Sequence, residues 1–464
     1  MEKLMYWMTE VNDFVWSYIL IAMLIGLALW FTVKSGFVQF TMFKEMVRLL
    51  FKSNEGSGGK RISSFQAFAI SLGSRVGTGN LAGVATAITV GGPGAVFWMW
   101  IIALLGSCSG FVEATLAQLY KRKQGDGYIG GPAYYIKYGL HQPWWGVLFS
   151  VLIIITFSYA FTSVQSNTIC AAFESAFNLD YRIMAVVLTL LTGVVIFGGV
   201  RRIARFSSVL VPIMAIGYIL LALFVLVMNI DMLPAVLGDI VADAMGWREV
   251  AGGGVGAALM QGIRRGLFSN EAGMGSAPNA AATAHVSHPV KQGLIQALGV
   301  FIDTLVICTC TAFVILLSGV PISQGVDGVQ LTQAALVSQV GNWGSIFVAV
   351  AIFMFAFSTI VANSYYGEAN LRYFSNNKKV VFLFRLSIVG IVMLGSLASL
   401  EFAWSFADLS MALMAICNLI AIGMLGKYSF RLLADYRAQK RAGVKEPTFS
   451  KDKLPEIEDD IECW

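Results

Sequence analysis

The sequence predicts an all-α protein that crosses a lipid bilayer many times. Three observations carry that expectation. Mean hydropathy is +0.71. The 464 residues are 57% hydrophobic and only 13% charged, where a soluble domain is nearer half apolar and a quarter charged. The apolar residues come in runs long enough to span a bilayer, which needs roughly 20 residues per helix. The alternating short strands of an outer-membrane barrel are not seen in the sequence.

Taken in chain order, eleven spans are expected, at 14–33, 66–90, 94–119, 145–172, 181–199, 207–228, 252–284, 293–319, 344–373, 380–398 and 402–425. Between the first two, residues Phe40 to Phe51 carry their charges on one helical side, which predicts a helix lying in the interface. The start of the chain is acidic and its first apolar run is too long for a signal h-region, so no cleavable signal is expected.

Loop charges set the orientation. Basic residues gather at Lys34, Lys44, Arg48, Lys52, Lys60 and Arg61, then at Lys121-Arg122-Lys123, Arg201-Arg202 with Arg205, Lys291, Arg372 and Lys378-Lys379. The opposite loops carry Asp180, Asp231, Asp239, Asp243, Glu249, Asp327 and Glu401, with Lys3, Arg182 and Arg248 as their few bases. The positive-inside rule then puts the N-terminus outside and the C-terminus in the cytoplasm. An odd span count requires opposite ends, so count and charge agree. The net charge of +5 is scattered over short loops and points to no nucleic-acid partner. Cys108, Cys170, Cys308, Cys310, Cys417 and Cys463 show no CxxC spacing and lie mostly in apolar runs, so neither a disulfide framework nor a metal site is read from them.

Two of the spans are interrupted. One break reads Ser71-Leu72-Gly73-Ser74-Arg75-Val76-Gly77-Thr78-Gly79-Asn80, the other Gly266-Leu267-Phe268-Ser269-Asn270-Glu271-Ala272-Gly273-Met274-Gly275. An unpaired backbone group in lipid costs several kcal/mol, so a broken helix survives only where protein or a solvated cavity covers it. With the first span set aside, the breaks fall in the first helix of each group of five, running in opposite directions. That is the pattern of an inverted repeat around a central solute site. The expected division is an extra transmembrane helix and interfacial helix at 1–61, a first repeat at 62–228, a second at 229–426, and a cytoplasmic tail at 427–464 that ends in a disordered acidic stretch. Glycine-rich packing is the alternative reading of the breaks, but it does not account for Asn80, Asn270 and Glu271 at bilayer depth.

An interrupted helix offers N–H groups with partial positive charge to an anion such as a carboxylate. It offers C=O groups to a hard cation such as Na+. Gly77, Gly79, Gly273 and Gly275 let backbone approach a ligand closely. Asn80 brings an amide oxygen, and Thr78 and Ser269 bring hydroxyls. Glu271 reads as an acceptor for a substrate ammonium, a partner of Arg75, Arg264 or Arg265, or a proton carrier. Ser358-Thr359 reads either as back-bonding to its own helix or as a ligand pair. Asp303 and Glu113 read as structural partners of an arginine or as coupling groups.

The motifs Gly73–Asn80, Gly91-Gly92-Pro93-Gly94-Ala95-Val96-Phe97-Trp98-Met99-Trp100, Gly130–Ile136 and Arg265–Pro278 resemble the alanine or glycine:cation symporter family. Phe301-Ile302-Asp303-Thr304, Phe357-Ser358-Thr359 and Tyr365-Tyr366-Gly367-Glu368 fit the same pattern across the membrane region. The resemblance implies a leucine-transporter-type fold with a 5+5 inverted repeat, and Na+-coupled uptake of a small neutral amino acid in a bacterial inner membrane. It implies that Gly73 and Val76 give carbonyls to one Na+ beside the hydroxyls of Ser358 and Thr359, and that Asn80 serves a second. Gly77, Thr78, Gly79, Gln165, Phe268, Ser269, Asn270, Gly273 and Met274 are the implied substrate contacts, Phe268 capping the substrate and Met274 lining its side-chain pocket. Arg75 and Glu271 depart from the apolar residues usual at those places, and with Asp303 they are kept as coupling or gating candidates.

A pocket bounded by Phe268 and Met274 favours alanine, glycine or serine, although methionine adapts and the resemblance also covers glutamine carriers. H+ coupling is the alternative within the family, and a channel the alternative outside it. No cofactor other than Na+ as coupling ion is expected, and oligomeric state is left open, a monomer being sufficient. His285 and His288 read as a solvated turn, and His141 beside Pro143-Trp144-Trp145 as an interfacial anchor. No strand precedes Gly77-Thr78-Gly79, so it is not a dinucleotide motif. No nucleophile with a base is found, and an enzyme is not the expectation.

Overall fold

The computed structural model describes residues 2–52, 62–198, 200–247, 254–322 and 328–464, without the side chains of Glu2, Leu4, Val200, Arg201 and Ala204. Lys60, Arg61, Arg248, Glu249, Asp327 and the side chain of Arg201, used above for orientation, lie outside the described residues, as do the ends of two expected spans at 199 and 252–253.

The described chain is helical apart from one short antiparallel hairpin, β1 (Arg122–Gln124) with β2 (Gly127–Ile129), paired Arg122 to Ile129. Its first half runs α1 (Met5–Lys34), α2 (Phe43–Lys52), α3 (Ser64–Arg75), α4 (Gly79–Gly91), α5 (Gly94–Leu119), α6 (Pro132–Gly139), α7 (Pro143–Phe177), α8 (Tyr181–Ile196) and α9 (Val200–Met228). Its second half runs α10 (Leu233–Ala244), α11 (Val255–Asn270), α12 (Ala277–Ala281), α13 (Pro289–Leu316), α14 (Gly328–Val340), α15 (Trp343–Phe374), α16 (Lys378–Leu397) and α17 (Leu400–Arg441). Among the described residues, eight helices are long and apolar enough to cross a membrane: α1, α5, α7, the Arg205–Met228 part of α9, α13, α15, α16 and α17. The expected span at 181–199 is the shorter apolar α8. Those at 66–90 and 252–284 are each two helices with non-helical backbone between them.

Burial sorts these helices into an inside and an outside. Leu190 and Val194 of α8, Ile213, Leu220 and Phe224 of α9, and Leu383 and Leu386 of α16 are exposed apolar side chains, suited to lipid. α5, α13 and α15 bury polar as well as apolar residues and form the core. α5 packs along α11 and α13, while α3, α9 and α15 pack together. Gly94 shows why the sequence is specific here. Its N–H bonds the Asp243 carboxylate at 2.8 Å, and a Cβ would strike Ala244 backbone.

The ends of the two broken helices follow from local chemistry. Ser63 and Gln66 make a reciprocal capping box that starts α3. Val76 then leaves helical backbone at ψ 89°. α11 stops because Glu271 takes a left-handed conformation at φ 55°, followed by Gly273 and Gly275 at φ 86° each. Wide π-type turns occupy Gly79–Gly83, Ile154–Phe161 and Phe301–Cys308. Such turns mark functional sites more often than chance, and two of these hold Asn80 and Asp303.

Two parts of the chain differ from expectation. His288 is fully buried, its Nδ1 accepting the Val290 N–H and its Nε2 facing Asp435, and so is not a solvated residue. Residues 442–464, expected to be disordered, lie against the bundle with Phe449, Leu454, Ile457 and Ile461 buried. The acidic charges there meet basic loop residues far away in sequence, which composition alone does not reveal.

Candidate functional site

The two breaks meet in the core. A Cβ on Gly79 would lie 3.0 Å from the Phe268 ring and 3.1 Å from Ser269 Cα. Only a glycine lets the first break approach the second so closely.

Around the first break, α15 presents two hydroxyls to bare carbonyls. Ser358 Oγ lies 3.0 Å from the Gly73 carbonyl oxygen. Thr359 Oγ1 lies 3.0 Å from Gly73 O, 3.1 Å from Ser74 O and 3.3 Å from Val76 O. Both hydroxyls also reach the Phe355 carbonyl of their own helix, so the two readings of this pair coexist. Two hydroxyl protons face three carbonyls of the break, and each hydroxyl has one proton to give. An oxygen-only cluster short of donors is suited to a hard cation. Gly73, Val76, Ser358 and Thr359 are thus brought together.

The N–H groups of the first break are partly taken. Gly77 N–H donates to Asn80 Oδ1 at 2.9 Å and Thr78 N–H to Gln165 Oε1 at 2.9 Å. A Cβ on Gly77 would stand 2.5 Å from Thr359 Oγ1 and 2.8 Å from Gln165 Oε1. The Thr78 hydroxyl is buried without a partner.

On the other side of Asn80 is Asp303, in the wide turn of α13. Asn80 Nδ2 donates to Asp303 Oδ1 at 2.7 Å, while the hydroxyls of Ser269 and Thr304 donate to Oδ2 at 2.8 Å each. Asp303 therefore touches both breaks, and among the described residues it forms no hydrogen bond with an arginine. Cys308 completes this corner, its Sγ 3.2 Å from Ser269 Oγ and 3.3 Å from Asn80 Nδ2.

Glu271 ties the breaks a second time. It accepts Ser74 Oγ at 2.6 Å and Ser276 Oγ at 2.5 Å. Of the three arginines weighed above, Arg265 pairs with Asp408 and Arg264 lies 3.4 Å from Asp13 and 3.9 Å from Asp408, while Arg75 acts on Glu271 through its charge without a hydrogen bond. Arg75 is fully buried and donates from Nη1 to the Gln296 carbonyl at 3.1 Å. Its Nε and Nη2 have no partner.

Glu113 has the most specific role that sequence reading missed. From α5 it accepts Gly273 N–H at 3.3 Å, Gly275 N–H at 3.1 Å and Asn418 Nδ2 at 2.9 Å. It is an internal carboxyl filling the N–H nest of the second break. Its signal was a lone acid inside an apolar run. The nest itself, and the supporting Tyr135–Asn418 bond, cannot be read from one segment.

Phe268 packs against Phe161 and Trp404 with ring centroids 4.4 and 4.7 Å away and the rings tilted by 39° and 53°. Arg265 lies over the other side of this aromatic group, 4.5 Å from Trp404. Met274 is buried, and its N–H turns back to the Glu271 carbonyl at 3.3 Å. Beside it, a Cβ on Gly273 would meet Leu419 and Ser109, so the backbone at Gly273 packs against α17 and α5. Asn270 caps its own turn, its Oδ1 accepting Ala272 N–H at 3.0 Å, and its Nδ2 is left without a partner.

Around the two breaks Glu113, Glu271 and Asp303 are buried with Arg75, and the buried Arg265–Asp408 pair lies beside them. Uncompensated charge at this depth is expensive, and bound cations would lessen the imbalance. Among the described residues no cluster of three or more His, Cys, Asp or Glu side chains is arranged to hold a transition metal.

Comparison with known proteins gives concordant matches. The model of the sodium:alanine symporter family matches residues 1–451. The chain is 52% identical to the probable sodium/glutamine symporter GlnT of Bacillus subtilis, over 98% of this chain and 94% of that protein. It is 37% identical to the sodium/alanine symporter AgcS of Methanococcus maripaludis, over 89% of this chain and 93% of that protein. Among solved structures, a manganese transporter of Eremococcus coleocola superposes with a TM-score of 0.55 at 14% identity, covering 86% of this chain and 90% of that one. That likeness concerns the fold alone.

Proposed function

Because this chain belongs to the sodium:alanine symporter family, we propose that it couples Na+ entry to uptake of a small neutral amino acid by alternating access. The membrane part reads as eleven spans, one extra helix followed by two inverted groups of five, with the N-terminus outside and the C-terminus in the cytoplasm. The two broken helices, met by α5 and α15, support that reading.

The observation that carries the proposal is the cluster at the first break. The carbonyls of Gly73 and Val76 with the hydroxyls of Ser358 and Thr359 are the ligands of one Na+. Asn80 serves a second, and Asp303 adds a carboxylate beside it. The substrate carboxylate is assigned to the backbone of Gly77, Thr78 and Gly79. The N–H groups of Gly77 and Thr78 are held by the neutral side-chain amides of Asn80 and Gln165, which a carboxylate can displace, whereas those of Gly273 and Gly275 already face a carboxyl, that of Glu113. Gln165, Phe268, Ser269, Asn270, Gly273 and Met274 complete the substrate surroundings. Arg75, Glu271 and Asp303 are the charges through which cation binding reaches both breaks.

Alanine, glycine or serine is the first choice of substrate. Glutamine is the second, favoured by the 52% identity to a protein named as a probable glutamine symporter. Purified protein in liposomes with an imposed Na+ gradient should concentrate labelled alanine against its own gradient. A panel of unlabelled amino acids, with and without Na+, ranks the substrates. Uptake that merely equilibrates, or that is indifferent to Na+ while following a proton gradient, overturns Na+ coupling.

A further inference from the structure

The segment after α17 grips the continuation of the second broken helix at both ends. At the far end, Glu446 bonds Lys291 at 2.5 Å and Arg48 of α2 at 3.3 Å. Phe449 N–H donates to the Ser287 carbonyl at 2.9 Å, and Ser287 Oγ returns a bond to the Pro447 carbonyl at 2.9 Å. At the near end, Trp464 Nε1 donates to the Gln118 carbonyl at 2.9 Å, and the Lys121 ammonium lies 4.3 Å over its ring. Gln118 and Lys121 in turn hold the last carbonyls of the half-helix. Gln118 Nε2 donates to Ala281 O at 2.5 Å and Ala284 O at 3.0 Å, and Lys121 Nζ reaches Ala284 O at 3.3 Å.

Between these grips the segment is clamped by charge. Arg122 bonds Glu462 at 3.3 Å and the Asp460 carbonyl at 2.7 Å, while Lys123 N–H reaches Glu462 at 3.0 Å. Lys453 pairs with Asp435, and Arg431 with Glu456. The family match ends at residue 451, so the stretch carrying Asp460, Glu462 and Trp464 lies beyond it. The gripped residues 281–291 begin five positions after Ser276, which bonds Glu271 in the core. They also hold the start of α3, since His285 N–H donates to the Ile62 carbonyl at 3.2 Å. Ile62 and Thr283 both line a cavity of about 480 Å³ with Tyr128, Tyr365, Glu368 and Arg372.

We propose that residues 442–464 are a latch across one end of the bundle, restraining the second half-helix where it borders this cavity. The inference rests on the alternating-access reading above and adds a control element to it. Many of its bonds are partly exposed ion pairs, which salt weakens. Opening at this end is therefore governed by ionic strength as well as by ligands.

The test uses the full chain in liposomes, with Thr283→Cys as a reporter read by site-resolved mass spectrometry after a membrane-impermeant maleimide. Two variants are compared with the parent, Trp464→Ala and a chain ending at residue 451. Labelling in the absence of Na+ should rise about fivefold in either, as expected when about 1 kcal/mol is removed from the closed state. High potassium chloride should raise labelling of the parent more than that of the shortened chain, which keeps only the Glu446 pairs with Lys291 and Arg48. Equal labelling in all three proteins, or a parent indifferent to salt, overturns the latch. Na+-driven uptake by the parent is measured on the same vesicles. Its absence counts against the transport reading, whereas intact uptake with unchanged labelling counts against the latch alone.

Discussion

The carboxylate of Glu271 accepts the hydroxyl of Ser74 at 2.6 Å, joining the second break to the first across 197 residues of sequence. A bond this short is typical of a charge-assisted hydrogen bond. One half-helix cannot move away from the other without losing it. Glu271→Gln keeps the shape and removes the charge. Hydrogen bonds to charged groups contribute about 1.5–3 kcal/mol, so Na+-driven uptake should fall about tenfold or more, and its pH dependence should change. Uptake at the parent rate with the parent pH profile would remove Glu271 from the coupling machinery.

Thr359 and the carbonyls around it give a prediction about Na+ alone. Thr359→Ala deletes an oxygen that lies within 3.3 Å of three carbonyls of the first break. Loss of one ligand from a hard-cation site should raise the Na+ concentration for half-maximal uptake about tenfold, or about 1.4 kcal/mol. At saturating Na+, KM for the amino acid should change far less. An unaltered Na+ dependence would place the cation elsewhere.

Asp303 and Asn80 separate the two proposed cation sites. Asp303→Asn preserves size but turns an acceptor of three bonds into a group with a competing donor. Apparent Na+ affinity should drop at least as much as in Thr359→Ala, and Asn80→Ala should follow it. Counterflow exchange over a range of Na+ concentrations measures both. If Asp303→Asn leaves the Na+ dependence untouched, its carboxylate is structural.

How much of this was legible in the sequence depends on where the partners lie. The breaks were visible because glycines and amides interrupt apolar runs, and Gly73, Val76, Ser358 and Thr359 fall together as the family resemblance implied. Asp303 was visible as a buried acid, but its bonds to Asn80 and Ser269 come from three separate helices. Glu113 could not be assigned, because its partners are backbone N–H groups created by the left-handed turn at Gly273 and Gly275. Met274 was placed in the pocket by analogy, while the fold turns its neighbour Gly273 toward Leu419. The end of the chain looked solvated because Arg122 and Lys291, which pair with Glu462 and Glu446, lie far upstream.

Phe268 is the point where packing and specificity meet. Its ring is held by Phe161 and Trp404, and a buried Phe→Ala change typically costs about 3–5 kcal/mol. Phe268→Ala should therefore lower the thermal midpoint. In the protein that still folds, KM for alanine should rise about tenfold, and larger neutral amino acids should compete better. A competition panel on liposomes reads both effects. An unchanged ranking with an unchanged KM would move the substrate away from this ring.

His288 gives a pH prediction away from the membrane core. Burial pushes its imidazole down to about 4, with Lys291 and Lys453 acting in the same direction and the Asp435 hydrogen bond opposing. Nδ1 accepts the Val290 N–H at 3.2 Å, which requires that nitrogen to be unprotonated. The unfolded chain has an ordinary histidine near 6.5. Between 6.5 and 4 the unfolded state binds the proton more readily, so folded stability is full above 6.5 and declines as pH falls toward 4. Glu45 also loses stabilisation on acidification, but lower, since its carboxyl is held down to about 2 despite desolvation by bonds from Arg48 and Tyr436. Over pH 7.5 to 5 the parent's thermal midpoint should therefore fall. His288→Asn can cap α13 through its amide oxygen without titrating, and should show a shallower decline. Equal slopes in the two proteins would assign the acid sensitivity to another group.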